Sequence, residues 1–304
     1  MSKQKDRRRA APFAGLRENE KAPVDMTAIR KAITEDSPQG DLTSKYTVPP
    51  KAIATATLYA KGDLVVAGLD YFKAVCEQVD PALDVSVIAA EGANANKGDI
   101  LARVSGKARA ILLAERVALN YAIRACSVAT LTAKYVRAVE GTRARILDTR
   151  KTTPGLRDLE KYAVRVGGGL SHRRNLSAMV LIKENHIAIA GGIGDAVFMA
   201  QEGEEDEGYV EVEVKNLKEL SEAIEAYADI ALLDNMSPKM IKEAVKLAKG
   251  QIWLEASGNM TLQKAKQAAQ TGVDFISVGA LTHSAPAVDI SLLVETDMDR
   301  RQQP

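Results

Sequence analysis

Basic side chains are concentrated in residues 143–183 of this 304-residue chain. That stretch holds ten Lys and Arg residues against three acids, whereas the formal net charge of the whole chain is +1. The cations that could do chemistry lie at or just after the ends of two apolar runs: Arg150, Lys151, His172, Arg173 and Lys183. A local cation excess beside two apolar strands predicts a concave site for a small, highly charged anion. The alternative is a solvated basic face.

Two acidic side chains, Glu213 and Asp234, end later apolar runs. Because an unpartnered buried carboxylate is costly, such residues imply a cation or a hydroxyl group as partner. Glu211 lies on the same strand face as Glu213, since side chains alternate with a period of two. The residues alone do not decide between these two glutamates. Ordinary pairing of strand-end acids with nearby lysines is the competing interpretation.

Six apolar runs must position these residues, and they cover 143–148, 178–183, 209–214, 229–234, 251–256 and 274–279. Amphipathic helical segments separate several of them, over 216–227, 237–248 and 261–271. Repeated β-α units with both sheet faces covered predict a mainly parallel sheet. Each run has polar residues or glycine at its C-terminal end. This pattern favours a (β/α) barrel, whose active site lies at that end, over a doubly wound sheet with one switch point.

The N-terminal third differs in pattern from the rest. Residues 1–21 are predicted to be a flexible, basic tail, and 51–106 a small α+β domain with a hairpin over 53–69. A long helix follows over 110–140. Two cysteines, Cys76 and Cys126, predict buried free thiols in a reducing compartment. No apolar run is long enough for a membrane span, and only 4% of residues are aromatic, which argues against a nucleic-acid platform.

Small residues follow the last two apolar runs. Loops of this kind expose backbone N–H groups, and they form the common phosphate site of barrel folds. The two predicted phosphate loops are Ser257-Gly258-Asn259 and Val278-Gly279-Ala280. The three histidines of the chain are too scattered in sequence to predict a metal site.

Three ordered motifs give the chain a resemblance to a known family. They read Asp-Thr-Arg-Lys-Thr-Thr-Pro-Gly from Asp148, Gly-Gly-Gly-Leu-Ser-His-Arg from Gly167, and Leu-Ile-Lys-Glu-Asn-His from Leu181. Together with Gly-Asp-Leu-Thr at Gly40, they closely resemble quinolinate phosphoribosyltransferases, from about residue 35 to 290. The resemblance implies an α/β fold, with an incomplete (β/α) barrel of fewer than eight strands and an N-terminal α/β sandwich domain. The expected sandwich covers 22–118 and is rejoined by 289–304, and the barrel covers 119–288.

The resemblance also implies an activity, namely transfer of the phosphoribosyl group of phosphoribosyl pyrophosphate (PRPP) to quinolinate with decarboxylation. The products would be nicotinate mononucleotide, pyrophosphate and CO₂, in the cytoplasmic synthesis of NAD. Matching residues would bind the quinolinate carboxylates: Arg150, His172, Arg173 and Lys183. Lys151 would contact the pyrophosphate of the donor. Glu213 and Asp234 would act on the ribose hydroxyls and on Mg²⁺, the expected cofactor, which bridges the pyrophosphate.

Further roles follow by the same resemblance. The two phosphate loops would hold the 5′-phosphate, assisted by His283. Arg116 would reach into the neighbouring subunit's site, which implies a homodimer or a larger assembly of dimers. Departures from the usual pattern occur at Ser171, Ala178 and Glu184, and they bear on the rate more than on the reaction.

Two other functions compete with this one. A related homologue encoded with molybdate transport genes shares much of the core, but its counterpart of the Leu-Ile-Lys motif generally lacks the lysine. Lys183 therefore favours quinolinate. A non-catalytic basic protein that binds nucleic acid would show log-linear loss of binding with salt. That function does not explain the acids at strand ends.

Overall fold

The computed structural model describes residues 13–15, 17, 20–203 and 208–295. The strands in chain order are β1 (Ile53–Ala60), β2 (Leu64–Val65), β3 (Asp84–Val87), β4 (Asn94–Ala95), β5 (Ile100–Lys107), β6 (Arg145–Leu147), β7 (Val180–Ile182), β8 (Val210–Val214), β9 (Ile230–Asp234), β10 (Trp253–Ser257), β11 (Phe275–Ser277) and β12 (Ile290–Glu295). The helices are α1 (Met26–Asp36), α2 (Leu42–Thr47), α3 (Leu69–Val79), α4 (Ala108–Ala138), α5 (Arg157–Val166), α6 (Glu184–Ala190), α7 (Ile193–Gly203), α8 (Leu217–Glu225), α9 (Pro238–Ala248), α10 (Leu262–Ala269) and α11 (Ala280–His283).

One compact unit, the antiparallel unit, comprises residues 16–133, 153–167 and 285–304. Its four-stranded sheet has the order β12-β1-β5-β3, so the C-terminal strand pairs with the first one. The predicted hairpin over 53–69 is wrong, because β2 pairs with β4 rather than with β1. A period-two pattern identifies a strand but not its partner.

The antiparallel unit also includes α5, which the expected boundaries assigned to the barrel. The helix buries Leu159 and Tyr162 within this unit, where Leu159 lies against Gly68 and the Tyr162 hydroxyl donates to Glu91. The expected boundary at residue 118 falls inside α4, a continuous helix of 31 residues. No helix in the described parts of the chain is long and apolar enough to cross a bilayer.

The second compact unit, the barrel unit, comprises residues 1–15, 134–152 and 168–284. Its six-stranded parallel sheet has the order β6-β11-β10-β9-β8-β7. Within the described ranges, the first strand β6 and the second strand β7 form no ladder, so the barrel stays open between them. The predicted fold class is therefore confirmed, both for the incomplete barrel and for a second α/β domain.

Local capping sets the start of the covering helices. Asn216, Ser237 and Thr261 precede α8, α9 and α10, and each side chain accepts a backbone N–H from the first turn of its helix. Pro238 occupies the first position of α9, where its missing N–H costs nothing. These caps fix where each strand-to-helix loop ends, and those loops carry the site.

The interior of the barrel unit is apolar at the N-terminal end of the strands. Phe13 packs there with Ile230 and Phe275, and its ring meets Phe275 edge-on with 4.9 Å between ring centroids. The prediction of a flexible tail over 1–21 is wrong at Phe13, which is 6% exposed. An apolar side chain near the chain start docks because the barrel interior needs filling. Residues 1–12 lie outside the described ranges.

Candidate active site

A cavity of about 560 Å³ opens at the C-terminal ends of the barrel strands. Its lining is strongly polar and comprises Thr149, Arg150, Lys151, His172, Arg173, Leu181, Lys183, Glu213, Leu232, Asp234, Asn235, Glu255, Ser257, Gly258, Asn259 and Ser277. All five predicted cations and both predicted acids are thus brought together in one pocket. The expectation that these side chains converge at one end of the sheet is met by the geometry.

One cation and one acid form a pair across adjacent strands. Lys183 Nζ lies 2.8 Å from Glu213 Oε2, and the lysine side chain is half exposed whereas the glutamate is mostly buried. The Lys183 backbone N–H donates to His186 Nδ1 at the start of α6, which fixes the strand end. The pair leaves the ammonium accessible to an anion in the pocket, because Lys has three donors.

Arg150 and Arg173 both bring a guanidinium group to the cavity. Arg173 Nη1 donates to the Met179 carbonyl at 3.0 Å, and Arg173 Nε is buried with no hydrogen-bond partner among the described residues. Burial, and then the positive charge of Arg150, lowers the pKa of Arg173. Two guanidinium groups in one pocket, one of them with an unsatisfied donor, suit a planar carboxylate.

Lys151 lies on a loop that is braced from both sides. Its N–H donates to Thr149 Oγ1 at 3.0 Å, and its carbonyl accepts from Thr282 Oγ1 at 2.8 Å. Gly279 faces Lys151 so closely that a Cβ there would lie 3.0 Å from Lys151 Cδ and 3.2 Å from His283 Nε2. Gly279 and His283 are therefore neighbours of Lys151, although they do not line the cavity itself.

His172 is buried, and both ring nitrogens are engaged inside the protein. Nε2 lies 2.9 Å from Glu211 Oε2 and 3.4 Å from Glu255 Oε2, while Nδ1 accepts the Arg173 N–H at 2.8 Å. The His172 backbone N–H donates to Asp148 Oδ1. The predicted contact between His172 and a ligand carboxylate would therefore need a ring nitrogen that is already in use.

The protonation of this cluster follows from its geometry. Burial lowers the pKa of His172, but the charge of Glu255 and the contacts of Nε2 with Glu211 and Glu255 outweigh burial and raise it. A ring protonated on both nitrogens could not accept the Arg173 N–H, so we place one ring proton, on Nε2. Burial and the charge of Glu255 raise the pKa of Glu211 to about 7.

The second acid of the pocket sits beside the first phosphate loop. Asp234 Oδ1 accepts from Asn235 Nδ2 at 3.0 Å, and the Asn235 N–H donates to the Ser257 carbonyl. Gly258 has a φ of +103°, and a Cβ there would meet Asn235 Oδ1 at 2.2 Å. Glycine is required at this position both for its backbone conformation and for space.

The two predicted phosphate loops differ in their placement. Residues 257–259 line the cavity, whereas residues 278–280 do not. The prediction of a free donor at Val278 is wrong, because its N–H donates to the Leu147 carbonyl. Ser277 lines the cavity instead, and its hydroxyl donates to Ser257 Oγ at 2.9 Å. The Val278 N–H, which the sequence predicted to be available for a phosphate, is thus used in a backbone hydrogen bond to a neighbouring parallel strand.

Arg116 lies on α4 in the antiparallel unit, with its side chain exposed. It is not among the residues that line the cavity. Sequence reasoning missed Asn235 and Asp148, whose roles arise from tertiary contacts. It also gave no role to Glu255, although its period-two relation to Ser257 on β10 places both side chains on the inner face.

The donor set of the pocket suits a hard divalent cation. Glu213, Asp234 and Asn235 offer carboxylate and amide oxygens, which are the ligands that Mg²⁺ takes in proteins. A magnesium ion carried in by a phosphorylated substrate needs few protein ligands and keeps several waters. The residues present therefore fit the predicted cofactor.

Comparison with known proteins gives a consistent family. The model for the quinolinate phosphoribosyl transferase N-terminal domain matches residues 41–126, and the model for the C-terminal domain matches residues 128–293. A chloroplastic nicotinate-nucleotide pyrophosphorylase (carboxylating) of Oryza sativa subsp. japonica is 42% identical over 291 residues, covering 89% of this chain and 77% of the relative. A probable enzyme of the same name from Bacillus subtilis (strain 168) is 40% identical over 258 residues, covering 85% and 89%.

Solved structures agree with these relatives. The nicotinate-nucleotide pyrophosphorylase from Francisella tularensis superposes with a TM-score of 0.87 at 38% identity, and the match covers 92% of this chain and 100% of that one. A structure of NadC from Streptococcus pyogenes gives a TM-score of 0.85 at 37% identity, covering 89% and 96%.

Proposed function

The chain belongs to the quinolinate phosphoribosyl transferase family, and from that premise we propose how the residues of its cationic pocket divide the work of the reaction. The enzyme transfers the phosphoribosyl group of PRPP to quinolinate with decarboxylation, and it forms nicotinate mononucleotide, pyrophosphate and CO₂ for NAD biosynthesis. The observation that carries the assignment of roles is the convergence of basic residues and two carboxylates on one cavity of about 560 Å³.

The cations near β6 and β7 bind quinolinate. Arg150 and Arg173 present two guanidinium groups, which match planar carboxylates by paired hydrogen bonds. Lys183 adds a third charge from the end of β7. Quinolinate is a dianion, so its binding relieves the repulsion among these side chains. Lys151, on the braced loop, faces the pyrophosphate of the donor.

The acids and the glycine loop hold the donor. Glu213 and Asp234 accept hydrogen bonds from the ribose hydroxyls, and they stabilise positive charge that develops at the anomeric carbon. Glu213, Asp234 and Asn235 would hold Mg²⁺ that arrives with PRPP, and the ion would supply positive charge to the leaving pyrophosphate. Residues 257–259, where Gly258 exposes backbone beside Asn235, hold the 5′-phosphate.

The chemistry then needs mainly positioning. The pyridine nitrogen attacks the anomeric carbon while the bond to pyrophosphate breaks. The resulting pyridinium stabilises an electron pair on the adjacent ring carbon, so the carboxylate there leaves as CO₂ and the carbon takes up a proton. Two anions must be held together against their mutual repulsion, and converging cations supply that attraction before the reaction begins.

The proposed assembly is a homodimer in which Arg116 completes the partner's site. Its exposed position on α4 in the antiparallel unit supports this proposal. Mixing inactive Arg116→Ala protein with inactive Lys183→Ala protein tests it. Random reassociation would restore about a quarter of the wild-type activity, since half of the dimers would each carry one intact site. Failure to complement, with subunit exchange demonstrated, would contradict a shared site.

The proposed compartment is the cytoplasm. Both cysteines are free and buried, which suits a reducing environment. Plant relatives carry the names chloroplastic and mitochondrial, so fractionation of the source cells with an antibody against the chain is the direct measurement.

The activity is tested by mixing the purified protein with quinolinate, PRPP and Mg²⁺, and by measuring nicotinate mononucleotide and CO₂. A parallel reaction replaces quinolinate with nicotinate. We expect product from quinolinate alone. Absence of product from folded, dimeric protein would contradict the proposal. It would favour the function of the molybdate-linked homologue, although that homologue generally lacks the counterpart of Lys183.

A further inference from the structure

A second, buried layer of charge forms the floor of the pocket, where His172 and Glu255 line the cavity. Glu211 precedes Glu213 by two residues on β8, and Glu255 precedes Ser257 by two on β10, so both point into the barrel one layer deeper. Both side chains are fully buried. His172 reaches this layer from the adjoining loop, where its Nε2 lies 2.9 Å from Glu211 and 3.4 Å from Glu255.

Several contacts fix the His172 ring and the backbone that carries it. Nε2 faces the two carboxylates, Nδ1 accepts the Arg173 N–H, and the backbone N–H donates to Asp148. Phe13 packs on the ring with 4.9 Å between ring centroids. Because the Nδ1 lone pair is in use, the ring proton stays on Nε2, between the two acids. His172, Glu211 and Glu255 also have the spacing of a metal site, and a proton on Nε2 would exclude a metal ion there.

The fixed ring also constrains Arg173, because Arg173 follows His172 directly and its backbone N–H donates to His172 Nδ1. Burial and the like charge of Arg150 lower the pKa of the Arg173 guanidinium, whereas the charge of Glu211 raises it. Removal of the acids would free the His172 ring from its Nε2 contacts, and the ring would then no longer fix the backbone of Arg173. The buried layer therefore acts on the ligand through the orientation of Arg173.

We infer that Glu211 and Glu255 are positioning residues, which hold His172 by its Nε2 proton and through it fix Arg173 for a carboxylate of quinolinate. The inference rests on the proposed function, because it concerns the same pocket. It differs from the predicted role of His172, in which the ring itself contacts the ligand. Here the acids set the affinity for the pyridine dicarboxylate without touching it.

A double-mutant cycle on quinolinate binding tests the inference. The dissociation constants of quinolinate and of PRPP are measured separately for wild type, Glu255→Ala, His172→Ala and the double variant. We expect Glu255→Ala to weaken quinolinate binding about tenfold while PRPP binding changes less than about threefold. In the His172→Ala background, the same substitution should add less than about twofold, because its intermediary is gone.

Two further variants separate positioning from a general loss of structure. Glu255→Gln keeps an oxygen acceptor for Nε2, so its effect should be smaller than that of alanine; it also serves if the alanine variant does not fold. Glu91→Gln alters a buried acid of the antiparallel unit and should leave quinolinate binding unchanged. A positioning role also raises the KM for quinolinate more than it lowers kcat, which a loss of folded protein would not do.

The outcomes are distinct. Additive effects of the two alanine substitutions, or equal losses of quinolinate and PRPP affinity, would overturn the inference. A metal ion bound stoichiometrically in the wild-type protein and lost in Glu255→Gln would also overturn it. Wild-type protein that binds quinolinate without forming product would contradict the proposed activity while the binding cycle still decides the inference. Wild-type protein that does not bind quinolinate would overturn both.

Discussion

Buried acids occur in both units of the molecule, but they are satisfied to different degrees. In the antiparallel unit, Glu160 accepts from Arg124 with one oxygen and from the Thr153 N–H with the other. In the barrel unit, neither carboxylate oxygen of Glu211 or of Glu255 forms a hydrogen bond of ordinary geometry with a described protein atom, although Oε2 of each faces His172 Nε2. An acid satisfied on both oxygens is a structural element, whereas incompletely satisfied acids below a pocket point to function.

The cations show the same difference. Arg124 is engaged with Glu160, but Arg173 in the barrel unit has an Nε with no hydrogen-bond partner in the described part of the chain, and burial and the charge of Arg150 lower its pKa. The barrel unit thus holds charge in an arrangement that becomes favourable when an anion binds. Substitutions should therefore affect activity in the barrel unit and stability in the antiparallel unit, and this contrast can be measured.

The largest expected effect is on turnover. Glu213→Ala removes a carboxylate from the place where positive charge develops on the ribose, so kcat should fall about 100- to 1,000-fold. Quinolinate affinity should change little, because the pyridine is held by the cations near β6 and β7. Steady-state kinetics and separate titrations of the two substrates measure these quantities. Equal loss of affinity for both substrates would show that Glu213 does not have this role.

The antiparallel unit should respond in stability instead. Arg124→Ala leaves Glu160 buried without its charge partner, so the free energy of unfolding should fall by about 3 kcal/mol. Denaturant unfolding gives the value, and quinolinate titration of the folded protein should remain near wild type. Lys73→Ala is the matched control, because its exposed pair with Glu77 contributes about 0.5 kcal/mol or less. The contrast between the units fails if Arg124→Ala is as stable as this control.

A barrel cation should lose ligand affinity with little change in stability. Lys183→Ala removes one charge-assisted contact with quinolinate, which should weaken its binding about 10- to 100-fold and PRPP binding far less. Calorimetric titration with each substrate measures both constants. Lys215→Ala provides the control, because Lys215 pairs with Glu184 on the surface and does not line the cavity. If both lysine variants lost affinity equally, general electrostatics would explain the effect.

The sequence predicted the strands and the end of the sheet that carries the site better than it predicted the contacts between distant residues. Strand periodicity and the polar residue at each strand end are local features, so the parallel sheet and the end that carries the site could be read directly, as Asp234 at the end of β9 illustrates. The burial of Phe13 and the bond from Asp148 to the His172 N–H join distant residues, and local patterns do not contain them. The prediction that the Val278 N–H is free was wrong for the same reason, because its acceptor, the Leu147 carbonyl, lies on another strand.

The smallest expected effect concerns the glycine loop beside the acids. Gly258→Ala places a Cβ against Asn235 at a φ of +103°, so Asn235 must move away from Asp234. Gly98 has nearly the same φ, +97°, but open space around it, and it belongs to the antiparallel unit. Both alanine variants should lose about 1 kcal/mol of stability from the backbone conformation alone.

Only the barrel variant should change binding. PRPP affinity should fall several-fold in Gly258→Ala, because the displaced Asn235 disturbs the loop proposed to hold the 5′-phosphate, whereas Gly98→Ala should bind PRPP like wild type. Isothermal titration of PRPP with the two variants at matched folded fractions separates the contact with Asn235 from the backbone strain. Unchanged PRPP affinity in Gly258→Ala would move the phosphate site away from residues 257–259, and it would leave Ser277 as the nearest lining residue with a hydroxyl to offer.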